Sequence, residues 1–524
     1  MDNERYLYGA AVQGIQNFIF QTNELKDIVG ASELVSNICG RFFAELLYGE
    51  CEDCLNRLND DTNSVLYAAG NVKYIFTSRN ECERIVREFP RLVLEKAPGI
   101  TISQAVVEYK YEMTFSECVN ILEEKLRAQR NLPTRSTLLG KIGIKRSRST
   151  GLPAVYSGDK NNLFQDKATI SKKEADRNVK SSKLCIDAFG EDALKFKFPY
   201  NIGDITDRNN WIAVIHADGN GLGQVVQKIG SNPSLFKRFS RTLDEVTKKA
   251  AQSAFKDIES DESWKFGDII PIRPIVLGGD DLTVICRGYI AMDYVKKFIQ
   301  YFKNISEEEL GGIIKEYNTS HKGNEIFGTG ETCLTACAGI AFIKANFPFY
   351  YGYELAEALC SVAKKVAKST DKVNIKNGLP ASCLMFHKVQ DSFVEDYDDI
   401  KRRELLPEYG KSFQFGPYFL NDEIVDGYWS IDKLNEKLNY IESNNREKNF
   451  IKSAMRNWLT NVHDSFEMAD QILKSTQETV YNKSDSEYIK EVTSPVRRCD
   501  GTEYYPTFDI LSLISVHQSV KNRK

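Results

Sequence analysis

The chain has 524 residues, 42% of them hydrophobic and 27% charged, with a formal net charge of −4. That is an ordinary folded composition with room for about three or four domains at ~150 residues each. It excludes a polycation that binds nucleic acid by bulk charge, and no apolar run is long enough to span a bilayer. The start, Met1-Asp2-Asn3-Glu4-Arg5, has none of the build of a signal peptide, and twelve cysteines without one predict reduced thiols and a cytoplasmic protein.

In chain order, Tyr6 to Phe20 begins as a strand and passes into a helical pattern that resumes through Ala31–Leu47. Cys51 and Cys54 have half of a zinc-ligand spacing with no second pair behind them, so they are read as structural. Ser64–Thr77 predicts a hairpin around Ala69-Gly70-Asn71, followed by a helix over Glu81–Glu95 and a strand over Thr101–Tyr109. This β-α-β-β-α-β order is a ferredoxin-like unit. From 131 to 205 the chain is rich in Lys, Ser, Asn and Gly with weak periodicity. We read this as a basic connecting region, solvated at Lys141, Lys145, Arg146, Arg148, Lys172, Lys173, Arg177, Lys180 and Lys183; a loop that contacts RNA or a partner is the alternative.

The same order then returns. A strand is predicted over Trp211–Ala217, a helix from Leu222 to Ile229, and a hairpin over Ile270–Arg287. A helix over Tyr289–Phe302, a strand over Cys333–Ile343 and an amphipathic helix over Tyr353–Ala367 follow. Two units of one topology suggest a duplication. Past about residue 400, Ile431–Ser443, Glu447–Asp464 and Phe466–Gln477 read as charged amphipathic helices, and Ser494–Lys524 as turns, one short helix and a basic tail. The expected fold is α+β: two ferredoxin-like palm domains and a C-terminal helical domain. The limits are 1–130, 131–205, 206–400 and 401–524.

The second hairpin carries Gly278-Gly279-Asp280-Asp281 at its tip. Glycine permits the tight turn and the close approach of a large anion. Two adjacent carboxylates repel each other unless a cation lies between them, so a divalent metal with a polyphosphate is the chemistry that suits the tip. Asp218 closes the strand WIAVIHAD and precedes Gly219-Asn220-Gly221-Leu222-Gly223, whose backbone N–H groups and following helix favour phosphate. In this topology the first strand lies beside the hairpin, so Asp218 is expected to meet Asp280 and Asp281 around Mg²⁺ or Mn²⁺ ions. Lys364, and more weakly Lys368 one turn on, are expected to reach the phosphates. In the first unit Ala68-Ala69-Gly70-Asn71 stands for the acidic tip and Val12 for Asp218, so that unit has no carboxylate set of its own.

The second unit resembles the palm domain of nucleotide cyclases, of GGDEF-type cyclases and, most closely, of the large polymerase-like subunit of type III CRISPR effector complexes. The resemblance rests on Gly278–Asp281, on Asp218-Gly219-Asn220-Gly221-Leu222-Gly223, on Ala338-Gly339-Ile340-Ala341, on Phe347-Pro348 and on Ala363-Lys364. In the first unit it rests on Gln13-Gly14-Ile15-Gln16-Asn17-Phe18-Ile19-Phe20 and Gly30-Ala31-Ser32-Glu33-Leu34. It covers most of the chain to about residue 390. It implies a nucleotidyltransferase that joins ATP into cyclic oligoadenylate messengers in antiviral defence. Asp218, Asp280 and Asp281 would hold metal; Gly278, Gly279, Gly219, Asn220, Gly221, Gly223, Lys364 and Lys368 would contact nucleotide. The implied partners are nucleoside triphosphates, RNA and CRISPR effector subunits, with no membrane. The chain departs from the family in three ways: it lacks an N-terminal HD nuclease (His463-Asp464 being a chance dipeptide), it lacks a zinc module between the palms, and it has Asn220 where the family has an acid. A stand-alone relative is therefore also expected. The alternatives are a scaffold or RNA-binding subunit with weak catalysis, and a GGDEF-like dinucleotide cyclase.

Overall fold

A computed structural model describes residues 5–68, 70–110, 112–132, 143–157, 164–177, 183–206, 210–230, 232–260, 269–391, 396–421, 423, 425–442, 446–462, 464–480 and 482–517. The first palm is built on β1 (Arg5–Gln13), β2 (Ser64–Ala68), β3 (Asn71–Phe76) and β4 (Thr101–Tyr109), in sheet order β2-β3-β1-β4. Its helices include α1 (Leu25–Asn37), α2 (Arg79–Lys96) and α3 (Phe115–Arg130). Helix α2 begins at Ser78, whose hydroxyl accepts the Glu81 N–H. Helix α3 begins at a reciprocal Thr114–Glu117 capping box that the sequence reading overlooked.

The second palm repeats the order with β5 (Trp211–Asn220), α5 (Leu222–Ile229), α6 (Pro233–Glu259), β6 (Ile272–Gly278) and β7 (Asp281–Arg287). It continues with α7 (Ala291–Ser320), β8 (Thr335–Lys344), α8 (Phe349–Lys368), β9 (Cys383–Lys388) and β10 (Tyr418–Phe419). Between the palms, α4 (Lys167–Arg177) precedes these. The sheet has six strands in the order β10-β9-β8-β5-β7-β6, so the ferredoxin-like four are extended by β9, parallel to β8, and by β10. Strand β5 lies at the centre between β8 and β7 and is buried almost throughout, which makes it a rigid mount for its C-terminal end. Helix α6, 27 residues long, starts at Pro233 behind an Asn232 cap and packs along α7.

Pairing registers correct one expectation. Ala11 pairs with Asn71 in the first palm, and extending the Ala217–Leu282 pair of the second by one residue brings Asp218 opposite Asp281. Ala11, not Val12, is therefore the counterpart of Asp218. A one-residue shift exchanges the two faces of a strand, and the conclusion that the first unit has no acid there is unchanged.

The connecting segment is also corrected. Lys172 on α4 is fully buried, its ammonium donating to the Phe18 carbonyl at 2.6 Å and lying 4.2 Å from the centre of the Phe18 ring. Burial pulls this amine down to about 8. The lysine is a structural contact with the first palm, not a solvated charge. Lys145 and Arg146 are exposed, while Lys141, Lys180 and His463 lie outside the described residues. Cys54 is buried and Cys51 half-buried, and among the described residues these two join no cluster with metal-ligating geometry. All twelve cysteines are free thiols. No described helix is long and apolar enough to cross a membrane.

The C-terminal helices are α9 (Ile431–Glu442), α10 (Arg446–Val462), α11 (Phe466–Thr479), α12 (Lys483–Thr493) and α13 (Thr507–His517). Helix α13 is buried nearly all round, as its apolar sequence requires, and touches both α9 and β9. It carries Asp509, whose Oδ2 accepts the Tyr418 hydroxyl at 2.7 Å. Burial pushes the Asp509 carboxyl up from 3.8 to about 7. A carboxyl raised on folding contributes stability below its unfolded value and loses it as the pH climbs through the folded value. Asp509→Asn is therefore expected to melt above the wild type at pH 8, by roughly 2–4 °C, with the gap closing toward pH 5. Thermal melts at the two pH values check this, and an equal shift at both would contradict it.

Candidate active site

The hairpin between β6 and β7 closes with Gly278 paired to Asp281, which leaves Gly279 and Asp280 as a two-residue turn. Gly279 has φ +63°, a conformation that disfavours any side chain and puts glycine at the first turn position. The turn is held from α6: the Gly279 N–H donates to Asp244 Oδ1 at 3.2 Å, and the Thr247 hydroxyl donates to the Gly279 carbonyl at 2.6 Å.

At the end of β5, Asp218 meets this tip. Ligand atoms of His216, Asp218 and Asp281 all lie within 4.8 Å of one another, and Asp280 is within hydrogen-bonding reach of Asp218. Lys364, near the end of α8, forms an ion pair with Asp218 and donates to the Gly219 carbonyl at 2.9 Å. The electrostatics follow from crowding. Burial, then the hydrogen bond to Asp218 and the charge of Asp281, push Asp280 up to about 8. Burial and the charge of Asp218 push Asp281 up to about 7. Burial opposes the charge of Asp218 too, but the bond from Asp280 and the Lys364 ammonium hold it below the usual carboxylate range. Asp218 and Asp281 converge on one point with His216, and Asp280 is hydrogen-bonded to Asp218 beside a lysine; this donor set suits a divalent cation.

The glycines divide into two groups. A side chain at Gly219 would meet Asp280 Cβ at 3.0 Å, so this glycine lets the acids close up. Gly223 faces open space and a side chain at Gly278 would meet only Asp244 Oδ1, at 3.9 Å, whereas Gly221 packs on Phe327. Lys368 is exposed one turn beyond Lys364. Asn220 is turned away from the acids: only 1% exposed, its amide donates to Thr335 Oγ1 at 3.1 Å, Cys337 Sγ at 3.2 Å and the Ala381 carbonyl at 3.4 Å. An acid at this position would set a charge against a carbonyl. Asn220→Asp is expected to lower the unfolding free energy by about 3 kcal/mol, read from the denaturant midpoint; an unchanged midpoint would show that the side chain turns outward.

Sequence reasoning missed His216, although two-residue alternation puts it on the face of β5 that carries Asp218. Its Nδ1 lies 3.2 Å from Thr283 Oγ1, and burial pulls the imidazole down to about 4, so it is neutral. The first palm also reaches this face. Gln16 Nε2 donates to the Tyr353 hydroxyl at 2.9 Å and to Glu357 Oε1 at 3.4 Å. Phe20 stacks on Tyr353 with ring centres 4.6 Å apart, and Tyr353 meets His216 edge to face at 5.6 Å. No local pattern announces the contacts of Gln16 and Phe20, because they join residues more than 330 positions apart.

With this geometry in view, residues 211–374 match the family described as Cas10/Cmr2, second palm domain. Over that stretch the chain is similar to the Cas10/Cmr2 second palm. Its fold matches Csm1 in a Csm1–Csm4 cassette crystallised in complex with cA4, at TM-score 0.52 and 13% identity, over 99% of this chain and 70% of that one. It also matches Csm1 in T. onnurineus, at TM-score 0.53 and 14% identity, over 98% of this chain and 70% of that one. No curated protein matches in sequence. The matched stretch begins at Trp211, the first residue of β5, and takes in Asp218, Asp280, Asp281 and Lys364.

Proposed function

We propose that this protein is a metal-dependent nucleotidyltransferase that joins ATP into cyclic oligoadenylate, as a subunit or relative of type III CRISPR effector complexes. The observation that carries the reading is the meeting of Asp218 and Asp281, 63 positions apart in the chain, in one ligand cluster beside a glycine turn and a lysine. Support comes from the family match over residues 211–374 and from the fold shared with a Csm1 that was crystallised with cA4.

In this reading Asp218, Asp280 and Asp281 hold Mg²⁺ or Mn²⁺, which supplies Lewis acidity toward the α-phosphate and charge neutralisation on the leaving pyrophosphate. The chain's own residues position the partners. Gly278 and Gly223 leave space for the triphosphate, and Lys364 turns from Asp218 to the β- and γ-phosphates. The 3′-hydroxyl of one nucleotide attacks the α-phosphorus of the next; a P–O bond forms as pyrophosphate leaves, and the hydroxyl proton passes to solvent. The first palm contributes the seat of a second nucleotide. A cavity of about 570 Å³ between the palms, lined by Asn17, Phe20, Asn23 and Tyr350 among others, has the size for one.

The test is incubation of the full chain with each of the four nucleoside triphosphates and Mn²⁺, with and without added RNA, and mass spectrometry of the products. Cyclic adenylates from ATP are the expected result. If no triphosphate is consumed under any condition, the protein is a scaffold and the enzymatic reading is wrong.

A further inference from the structure

Gly279 confronts the site with a mechanical problem. Its positive φ makes the tight turn, but glycine is the residue with the widest conformational freedom, and it stands immediately before the two acids that must be fixed. The remedy lies on α6. Asp244 and Thr247, one turn apart, take the two peptide groups that flank the Gly279 Cα: the N–H on one side at 3.2 Å and the carbonyl on the other at 2.6 Å. Both dihedrals of Gly279 are thereby held from outside the hairpin.

Each holder is itself held. Thr247 is fully buried, and its hydroxyl is also 3.0 Å from the Leu243 carbonyl. Asp244 pairs with Lys248 at 2.7 Å, and Lys248 reaches Asp187 at 3.3 Å. The same face of α6 continues toward its N-terminus, since Lys237, Arg241, Asp244 and Lys248 follow one another at helical spacing. Lys237 donates to the Asp61 carbonyl and Arg241 to the Asn59 carbonyl, at the C-terminal end of the short helix Cys54–Asp60 that precedes β2 of the first palm. One helix face therefore grips the acidic turn and the acid-free palm together.

We propose that Asp244 and Thr247 are positioning residues for the metal-holding turn: they fix the backbone of Gly279 so that Asp280 and Asp281 stand ready for a divalent cation. The proposal rests on the nucleotidyltransferase reading and adds to it a determinant outside the acid cluster.

Four full-length variants test it: Thr247→Val, Thr247→Ser, Asp244→Ala and Asp244→Asn. Turnover of ATP, Mn²⁺ affinity by titration calorimetry and the melting temperature are measured for each. Thr247→Val is expected to lower kcat roughly ten-fold while KM for ATP stays within about two-fold, because a turn displaced by a fraction of an ångström misplaces the reacting groups without removing a substrate contact. Mn²⁺ affinity should fall with it, and Thr247→Ser, which restores the donor, should recover both. Asp244→Asn keeps an acceptor for the Gly279 N–H and should lie nearer the wild type than Asp244→Ala. Wild-type kcat and Mn²⁺ affinity in both Thr247→Val and Asp244→Ala would overturn the proposal. So would losses that follow the melting temperature and are not rescued by serine. If the wild type binds Mn²⁺ but consumes no triphosphate, the catalytic reading fails and the Mn²⁺ affinities alone decide the positioning role. If it binds no Mn²⁺, both fall.

Discussion

Asp280→Asn/Asp281→Asn is expected to abolish product formation, by about three orders of magnitude or more, equivalent to about 4 kcal/mol of lost transition-state stabilisation. The same variant should melt no lower than the wild type in the presence of a chelator. The two acids stand beside Asp218, half-buried and in mutual repulsion, and burial and that repulsion raise both carboxyls far above their ordinary value. Removing two carboxyls whose ionisation opposes folding relieves the folded state, in the manner of sites kept for chemistry at the expense of stability. Activity with Mn²⁺ and melting in chelator are the two measurements. A variant that loses activity only because it unfolds would refute the reading of these residues as a metal site.

Lys364→Met should separate the lysine's two duties. Without ligand its ammonium neutralises Asp218 and bonds the Gly219 carbonyl. Burial opposes that charge, but Asp218 holds the amine above its ordinary pKa. Methionine leaves three acids without an internal cation. The variant should therefore melt lower than the wild type in chelator and gain more from added Mn²⁺, since the metal then replaces what was removed. Its kcat/KM for ATP should nevertheless fall by roughly 10²-fold, because the phosphates lose a preorganised cation. A kcat/KM equal to the wild type's would remove Lys364 from the phosphate site and leave it as a counter-ion for Asp218.

The acidic tip was legible because its determinants are local: apolar β-rich arms on each side and a glycine where φ must be positive. The convergence with Asp218 was legible one level up, since a β-α-β-β order leaves few places for the first strand. Helix α6 was passed over although Leu235, Phe239, Leu243 and Val246 repeat at helical spacing. Its later turns rely on Ala250, Ala251 and Ala254, which pack closely yet give little hydropathy contrast. Strand β9 was missed for another reason. CLMFHK is a short apolar run that reads equally as strand or helix, and the edge of β8 decides it. The environment of Asn220 and the burial of Lys172 depend on carbonyl groups supplied from 161 and 154 positions away, and a lysine in a basic tract gives no warning of that.

The amine of Lys172 under Phe18 has a practical consequence for anyone dividing this protein into two expressed pieces. A break at residue 130 would hand α4 to the wrong fragment, uncovering the Phe18 carbonyl in one half and stranding a desolvated cation in the other. Reconstitution from halves should work only when the cut falls beyond Arg177, so that the first fragment carries its own plug.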